Sequence, residues 1–227
     1  MYNKINGSEL YEGDTMTTFI LIRHGQSVAN LNLIFAGHYD ADLSELGHKQ
    51  AKCTADAVVG RFKIDKIYSS DLLRAYNTAR PISEATGVGI VPDMAFREIF
   101  AGEWEGRPFE ELKEVYKEDF FIWRNDICNS RCTGGESMVE VGERFCARVK
   151  ELAAENDGKT VVITTHAAAI RAFMATSQGD ATLMNSIPFV PNASYSVLTV
   201  DGERFEFVEK GHDEHLGDHK TVLPPNV

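Results

Sequence analysis

An arginine and a histidine follow an apolar run without a break: Thr18-Phe19-Ile20-Leu21-Ile22 leads directly into Arg23-His24-Gly25. Such a run reads as a buried β-strand, and ligands of open α/β sheets gather at the carboxyl ends of the strands. A second run, Val161-Val162-Ile163-Thr164-Thr165, ends on His166 and continues into Ala167-Ala168-Ala169-Ile170-Arg171, a pattern of strand, histidine and helix. An arginine offers a planar fork of donors that suits the oxygens of a phosphate. A neutral imidazole nitrogen attacks phosphorus near neutral pH without the deprotonation a serine requires. Two histidines at two strand ends, one beside an arginine, therefore predict one anion-handling catalytic site.

Arg74 is a third candidate. It lies one turn into a helix expected to begin at Asp71, and helical side chains lean toward the helix N-terminus. Arg74 can thus reach back to the strand ends, so that Arg23 and Arg74 face one phosphate. Phosphoryl transfer depends chiefly on positioning and on charge placed at the equatorial oxygens.

Arg23-His24-Gly25 with Asn30, the stretch Ser69-Ser70-Asp71-Leu72-Leu73-Arg74-Ala75, and the second histidine His166 stand in one order over most of the chain. Together they resemble the histidine phosphatase superfamily, the phosphoglycerate-mutase-like group that works through a phosphohistidine. The resemblance implies that His24 is the nucleophile and that His166 stabilises the transferring group. It implies phosphate contacts from Arg23, Asn30, Arg74, the backbone at Gly37 and the backbone N–H of Ala167. The usual His-Gly-Gly is His166-Ala167-Ala168 here. The stretch Arg97-Glu98-Ile99-Phe100-Ala101-Gly102-Glu103-Trp104-Glu105-Gly106 resembles the acid motif of the phosphatase branch and ranks Glu98 first as proton relay, ahead of Glu103. One carboxyl can protonate the leaving alkoxide and then activate water.

The elements that must hold these residues follow from pattern. A strand over 18–23 is followed by a helix after Ser44 with Leu46, Gln50, Cys53 and Ala57 on one face. A strand over 64–69, a helix over 71–86 closed by Gly87, and a weaker strand over 89–92 come next. Ser137 and Glu140 form a capping box before a helix that buries Met138, Val141, Phe145, Val149 and Leu152. After the elements around His166, residues 197–208 read as a β-hairpin with a type I′ turn at Asp201-Gly202. The alternation predicts an α/β fold: a three-layer α/β/α sandwich with a mostly parallel sheet and an antiparallel edge hairpin. Residues 99–135 carry Phe100, Trp104, Phe109, Tyr116, Phe120, Phe121 and Trp123 and read as a helical insert capping the site. With Trp104 and Trp123 in such a roof, leaving groups with an apolar face are expected. The chain divides into a polar tail over 1–15, with Met16 as a candidate natural start, a catalytic domain over 16–210, and a C-terminal tail over 211–227.

Composition sets the outer limits. The chain has 227 residues and a net charge of −11, which suits one α/β domain and disfavours nucleic-acid or anionic-membrane partners. No apolar run approaches membrane-spanning length. Cys53, Cys128, Cys132 and Cys146 lack the spacing of a zinc site and read as reduced thiols of a cytoplasmic protein. His212, His215 and His219 are interleaved with acids and read as a solvated tail, so neither a metal nor a cofactor is expected. The expected partner is a small-molecule phosphate ester, and the sequence leaves the oligomeric state open, a homodimer included. The leading expectation is a phosphomonoesterase. The alternatives are a phosphoglycerate mutase, which the segment Phe35–Ser44 resembles, and a non-catalytic phosphate-binding protein. Against the mutase stand Ala29 before Asn30, the Trp-Glu-Gly acid segment, and the lack of adjacent basic residues in 99–135.

Overall fold

The computed structural model describes residues 16–222; the expected N-terminal tail lies outside them. The elements in chain order are β1 (Thr17–Arg23), α1 (Val28–Leu31), β2 (Ile34–Phe35), α2 (Glu45–Arg61), β3 (Lys66–Ser69), α3 (Leu73–Thr86), β4 (Ile90–Pro92), β5 (Arg107–Pro108), α4 (Phe109–Val115), α5 (Lys117–Asn125), α6 (Met138–Glu155), β6 (Thr160–Thr165), α7 (Ala167–Thr176), β7 (Tyr195–Asp201) and β8 (Arg204–His212). Six strands form one sheet in the order β4-β3-β6-β1-β7-β8. The first four run parallel, and β7 and β8 complete the sheet antiparallel.

Side chains alternate across a strand, and β1 uses both faces. Phe19 and Leu21 join a core with Phe145 and Val149 of α6 and Ala169 and Phe173 of α7. Ile20 and Ile22 join a second core with Ala55 and Val58 of α2 and Ala79 and Ile82 of α3. The result is the expected three-layer α/β/α arrangement. A strand buried on both faces also accounts for the unbroken apolar run that begins the site motif.

Several local expectations shift by a residue or two. The buried face of α2 is Gly47, Gln50, Ala51, Thr54, Ala55 and Val58, one step round from the face through Leu46, Cys53 and Ala57. The helix turns this way because it touches the loop after β1: a Cβ on Gly47 would lie 2.0 Å from the Gln26 carbonyl oxygen. Helix α3 begins at Leu73 rather than Asp71, because its Leu73 N–H is capped by the distant Asp40 carboxylate at 2.7 Å. The β7–β8 loop is Gly202-Glu203, one residue later than Asp201-Gly202. Only its first residue has positive φ, at 54° for Gly202, which fits a II′ rather than a I′ turn. Ser137 and Glu140 do form the capping box of α6.

The C-terminal segment differs from a solvated tail. Residues 214–219 form a 3₁₀ turn against α2, with Leu216 buried. His215 Nε2 lies 3.0 Å from Thr54 Oγ1, and Gln50 Nε2 donates to the His219 carbonyl at 2.7 Å. All four cysteines are free thiols. Among the described residues, no helix is long and apolar enough to cross a membrane.

Candidate active site

The parallel register of β1 and β6 pairs Arg23 with Thr165. The next residues, His24 and His166, therefore leave the sheet side by side. Their ring centroids are 5.2 Å apart at an interplanar angle of 60°. The neighbouring β3–β6 register pairs Ser69 with Thr164, which brings Ser70 beside the second histidine. Ser70 Oγ lies 2.8 Å from His166 Nε2, and His166 Nδ1 is buried without a hydrogen-bond partner among the described residues.

The His24 backbone is clamped from two sides. Its N–H donates to the Thr165 carbonyl at 2.9 Å, and its own carbonyl accepts from Ala193 N at 3.1 Å and Asn192 Nδ2 at 3.2 Å. Its Nδ1 sits 2.6 Å from the Gly25 carbonyl. A carbonyl only accepts, so Nδ1 carries the proton and Nε2 keeps its lone pair. Gly25 is needed for this turn, since a Cβ there would stand 2.6 Å from the Gly47 carbonyl oxygen.

Two arginines flank the imidazoles. Arg23 is buried, donates through one terminal nitrogen to the Val190 carbonyl at 2.6 Å, and leaves Nε without a partner. Its guanidinium lies over the Phe189 ring at 4.7 Å from the centroid. Arg74 is also buried, and donates to the carbonyls of Gly37 at 2.7 Å and Tyr39 at 3.0 Å. Gly37 adopts φ of 51°, and a Cβ there would meet Glu105 Oε1 at 2.5 Å, so glycine serves both turn and packing. Burial lowers Arg23 and Arg74 to about 10, still fully charged at neutral pH. Burial, then the Arg74 and Arg23 charges, holds the His24 imidazole well below its usual range. His166 is lowered in the same way, by burial first and then by Arg74. Both rings are thus held neutral.

Glu98 faces the histidines from the start of α7. Its carboxylate accepts from Ala168 N at 3.2 Å, Ala169 N at 3.0 Å and its neighbour Ile99 N at 3.1 Å. His38 Nε2 lies 2.9 Å from the Glu98 carbonyl, and Arg144 donates to the same carbonyl at 2.8 Å. Arg97, the preceding residue, makes a two-pronged pair with Asp71 at 2.6 and 2.5 Å. The rival acids are engaged elsewhere. Glu105 accepts from His38 N and Ala101 N, and Glu103 accepts from the Tyr116 hydroxyl. Neither lines the cavity described next, whereas Glu98 does.

One cavity of about 350 Å³ joins the site, lined by Arg23, His24, Asn30, Gly37, Arg74, Glu98 and Ala167 among others. The Oδ1 of Asn30 accepts from Ser27 N and Asn192 Nδ2, and its amide NH₂ has no protein partner among the described residues. His166 lies behind this lining, fully buried. The two alanines after it begin a regular helix with His166 as N-cap, and neither has positive φ. Alanine suits those positions, and the first-turn N–H groups of α7 remain aimed at the site.

The insert caps the cavity, but not with the residues expected. Trp123, Phe109 and Ile127 line it; Trp104 does not. Trp104 is fully buried in the core below, packed on Phe35, Tyr116 and Phe120, with its Nε1 donating to Thr133 Oγ1 at 3.0 Å. The wall is also less apolar than the aromatic count implied, because Arg124 and Arg171 stand in it. Arg171 was within reach of sequence reasoning, being one helical turn past Ala167. Ser70 stands in the Ser69–Ala75 motif but had no role assigned there, and Phe189 and Val190 carried no signal, since a loop brings them in. Among the described residues, no group of three or more His, Cys, Asp or Glu is placed to hold a metal ion.

Known proteins resemble this chain over most of its length. The family model for the histidine phosphatase superfamily (branch 1) matches residues 19–213. The chain is 35% identical over 213 residues to phosphoserine phosphatase 1 of Hydrogenobacter thermophilus, covering 91% of this chain and all of that one. It is 26% identical over 200 residues to phosphoglycerate mutase-like protein 4 of Arabidopsis thaliana, covering 87% and 86%. Among solved structures, a mycobacterial glucosyl-3-phosphoglycerate phosphatase in complex with VO3 superposes with a TM-score of 0.80 at 30% identity, covering 86% of this chain and 99% of that one.

Proposed function

This chain belongs to the histidine phosphatase superfamily, branch 1, and from that premise we propose that it hydrolyses a small phosphorylated metabolite through a phosphohistidine at His24. The observation that carries the reading is the His24 imidazole. It is buried, held neutral, fixed as the Nδ1–H tautomer by the Gly25 carbonyl, and set between two buried arginines.

In the first step the phosphoryl group lies against Arg23, Arg74, the Asn30 amide and the Ala167 N–H. His24 Nε2 attacks phosphorus as the bond to the ester oxygen breaks. Glu98 delivers a proton to the departing alkoxide. The arginines, and His166 through Nδ1–H, meet the charge on the transferring oxygens, where preorganised donors are most effective. In the second step the Glu98 carboxylate takes a proton from water, whose oxygen attacks phosphorus. The N–P bond breaks and inorganic phosphate leaves. No step calls on a metal, so activity is expected to survive chelation followed by desalting. The reading places the enzyme in the cytoplasm, where phosphorylated metabolites are found.

A mutase uses the same first step but returns the phosphoryl group to the substrate. Its support is the likeness to the Arabidopsis thaliana relative. Turnover of a panel of phosphomonoesters, with a phosphoglycerate mutase assay alongside, separates the two. We expect phosphate release to exceed mutase turnover by a wide margin, and His24→Ala to abolish both. Dominant mutase turnover would overturn the choice between the two enzymes.

A further inference from the structure

Glu98 stands on residues 97–101, which form neither helix nor strand. A carboxyl that delivers a proton to one oxygen and later takes one from water needs a fixed place. A loop has no hydrogen-bond ladder of its own to supply that, so its backbone groups must find partners elsewhere. The carboxylate is held in front by the Ala168 and Ala169 N–H groups of α7. The main chain behind it is held by side chains, chief among them Arg144 in the second turn of α6.

Arg144 spends its guanidinium on this segment. One terminal nitrogen donates to the Ala95 carbonyl at 2.8 Å and the other to the Glu98 carbonyl at 2.8 Å. Its Nε donates to Glu136 Oε1 at 2.9 Å, so a carboxylate fixes the plane of the fork. Glu136 is itself joined to the same loop: its Oε2 accepts from Phe100 N at 2.7 Å, and its own N–H donates to the Phe100 carbonyl at 2.8 Å. The Glu98 carbonyl meets a second donor, His38 Nε2, at 2.9 Å. A carbonyl only accepts, so that nitrogen carries a proton. Arg144, Glu136 and His38 all stand outside the lining of the cavity. They grip Glu98 and the residues on either side of it without reaching a substrate. Arg148, one turn further along α6, provides a contrast: it pairs with Asp93 at 2.7 Å, at the near end of the segment and away from Glu98.

Resting on the phosphatase reading above, we propose that Arg144, oriented by Glu136 and joined by His38, is a positioning residue for proton transfer, fixing the Glu98 main chain so that its carboxyl meets the ester oxygen. Loss of Arg144 leaves the Ala95 and Glu98 carbonyls and the Glu136 carboxylate short of a donor, and the loop regains freedom to turn about the Glu98 backbone. Arg23, Arg74 and Asn30 are anchored by other partners and keep their places. The loss therefore falls on proton transfer rather than on phosphate binding.

The test compares kcat/KM for phenyl phosphate and p-nitrophenyl phosphate at neutral pH. The two esters differ by a nitro group, and phenolate, the stronger base, is the leaving group that needs the proton. Arg144→Ala is expected to lower the phenyl phosphate value by about 10- to 100-fold and the p-nitrophenyl value by less than about threefold, as for a proton donor displaced by roughly 1 Å. Glu98→Gln should shift the ratio of the two values in the same direction and at least as far. Arg144→Lys, Glu136→Gln and His38→Phe should fall between Arg144→Ala and wild type, since each keeps part of the network. Arg148→Ala should leave the ratio at its wild-type value even where it lowers the melting temperature. Thermal melts establish that each variant is folded; if Arg144→Ala is not, Arg144→Lys and His38→Phe carry the test. Equal losses on both esters in the Arg144 and His38 variants, or a ratio moved as far by Arg148→Ala, overturn the proposal and leave the phosphatase reading standing. A ratio unchanged in Glu98→Gln, with label still trapped on His24, removes Glu98 as the proton donor and this proposal with it. Failure of the wild type to hydrolyse either ester brings down both readings.

Discussion

His24 stands near two buried cations, Arg74 and Arg23, and His166 near buried Arg74, and among the described residues neither ring is hydrogen-bonded to a carboxylate. That is the reverse of a pair built to be protonated. With both pKa values pushed below the ordinary value of about 6.5, the unfolded chain binds protons that the folded chain refuses. Stability then rises with pH wherever the unfolded state binds more protons. The contribution is complete above about pH 6.5 and is lost as pH falls below it, by up to about 1.4 kcal/mol per pH unit for each histidine. His215, lowered chiefly by burial, adds to the same window, whereas the lowered carboxylates, Asp65, Asp71, Asp126, Glu140 and Glu209, act only in a more acid one. Urea midpoints should therefore drop between pH 6.5 and 5.5, and His166→Gln should flatten the drop. A flat profile in the wild type would show that the two rings are not held neutral. These residues were legible in the sequence because each lies at a strand end or in a helical first turn, where the chain direction fixes the position of the side chain. Glu98 was legible only through resemblance: it sits on a loop, and two backbone N–H donors from α7, with that of its neighbour Ile99, hold it.

At the scale of elements, the strands and the two helical layers followed from periodicity, and the cap did not. Seven aromatics in one stretch indicate that something apolar is built there, but not which rings face a cavity and which lie beneath it. Trp104 settles under the cap because β5 pairs with β2, which draws Phe35 onto its ring at 5.4 Å between centroids. Nothing local to residues 99–135 encodes that pairing. The same reasoning explains the rotation of α2, whose Gly47 answers to the Gln26 carbonyl rather than to its own helix. Trp104→Ala is accordingly a stability mutation. It should cost about 3–5 kcal/mol, as for other large aromatics removed from a core. Trp123→Ala should instead alter KM across substrates with a smaller change in melting temperature. A stable Trp104→Ala protein with altered substrate preference would place that ring at the cavity after all.

At the scale of the molecule, the described C-terminal segment matters more than its composition suggests. Gln50 is fully buried on α2. Its Oε1 accepts from Gln26 N at 2.7 Å, two residues after His24, and its Nε2 donates to the His219 carbonyl and to Thr221 Oγ1. One side chain thus ties the C-terminal segment to the loop that aims His24. A polar run with alternating histidines and acids reads as solvated because its anchors are a single leucine, one backbone carbonyl and the polar side chains of His215 and Thr221, which leave no periodic trace. Gln50→Leu strands a buried N–H and a carbonyl, a loss of about 1–3 kcal/mol. It should lower kcat together with the melting temperature, whereas Leu216→Ala should lower the melting temperature with less effect on kcat. Equal losses of kcat in both variants would deny the link to the loop.

The account rests on His24 as the atom that receives the phosphoryl group, and rapid quench with ³²P-labelled phosphomonoester tests that most directly. The expected result is a labelled enzyme that appears before steady state, is labile in acid and stable in base, maps to His24 and is absent from His24→Ala. Label that is stable in acid, or that maps to a serine or a carboxylate, would contradict it.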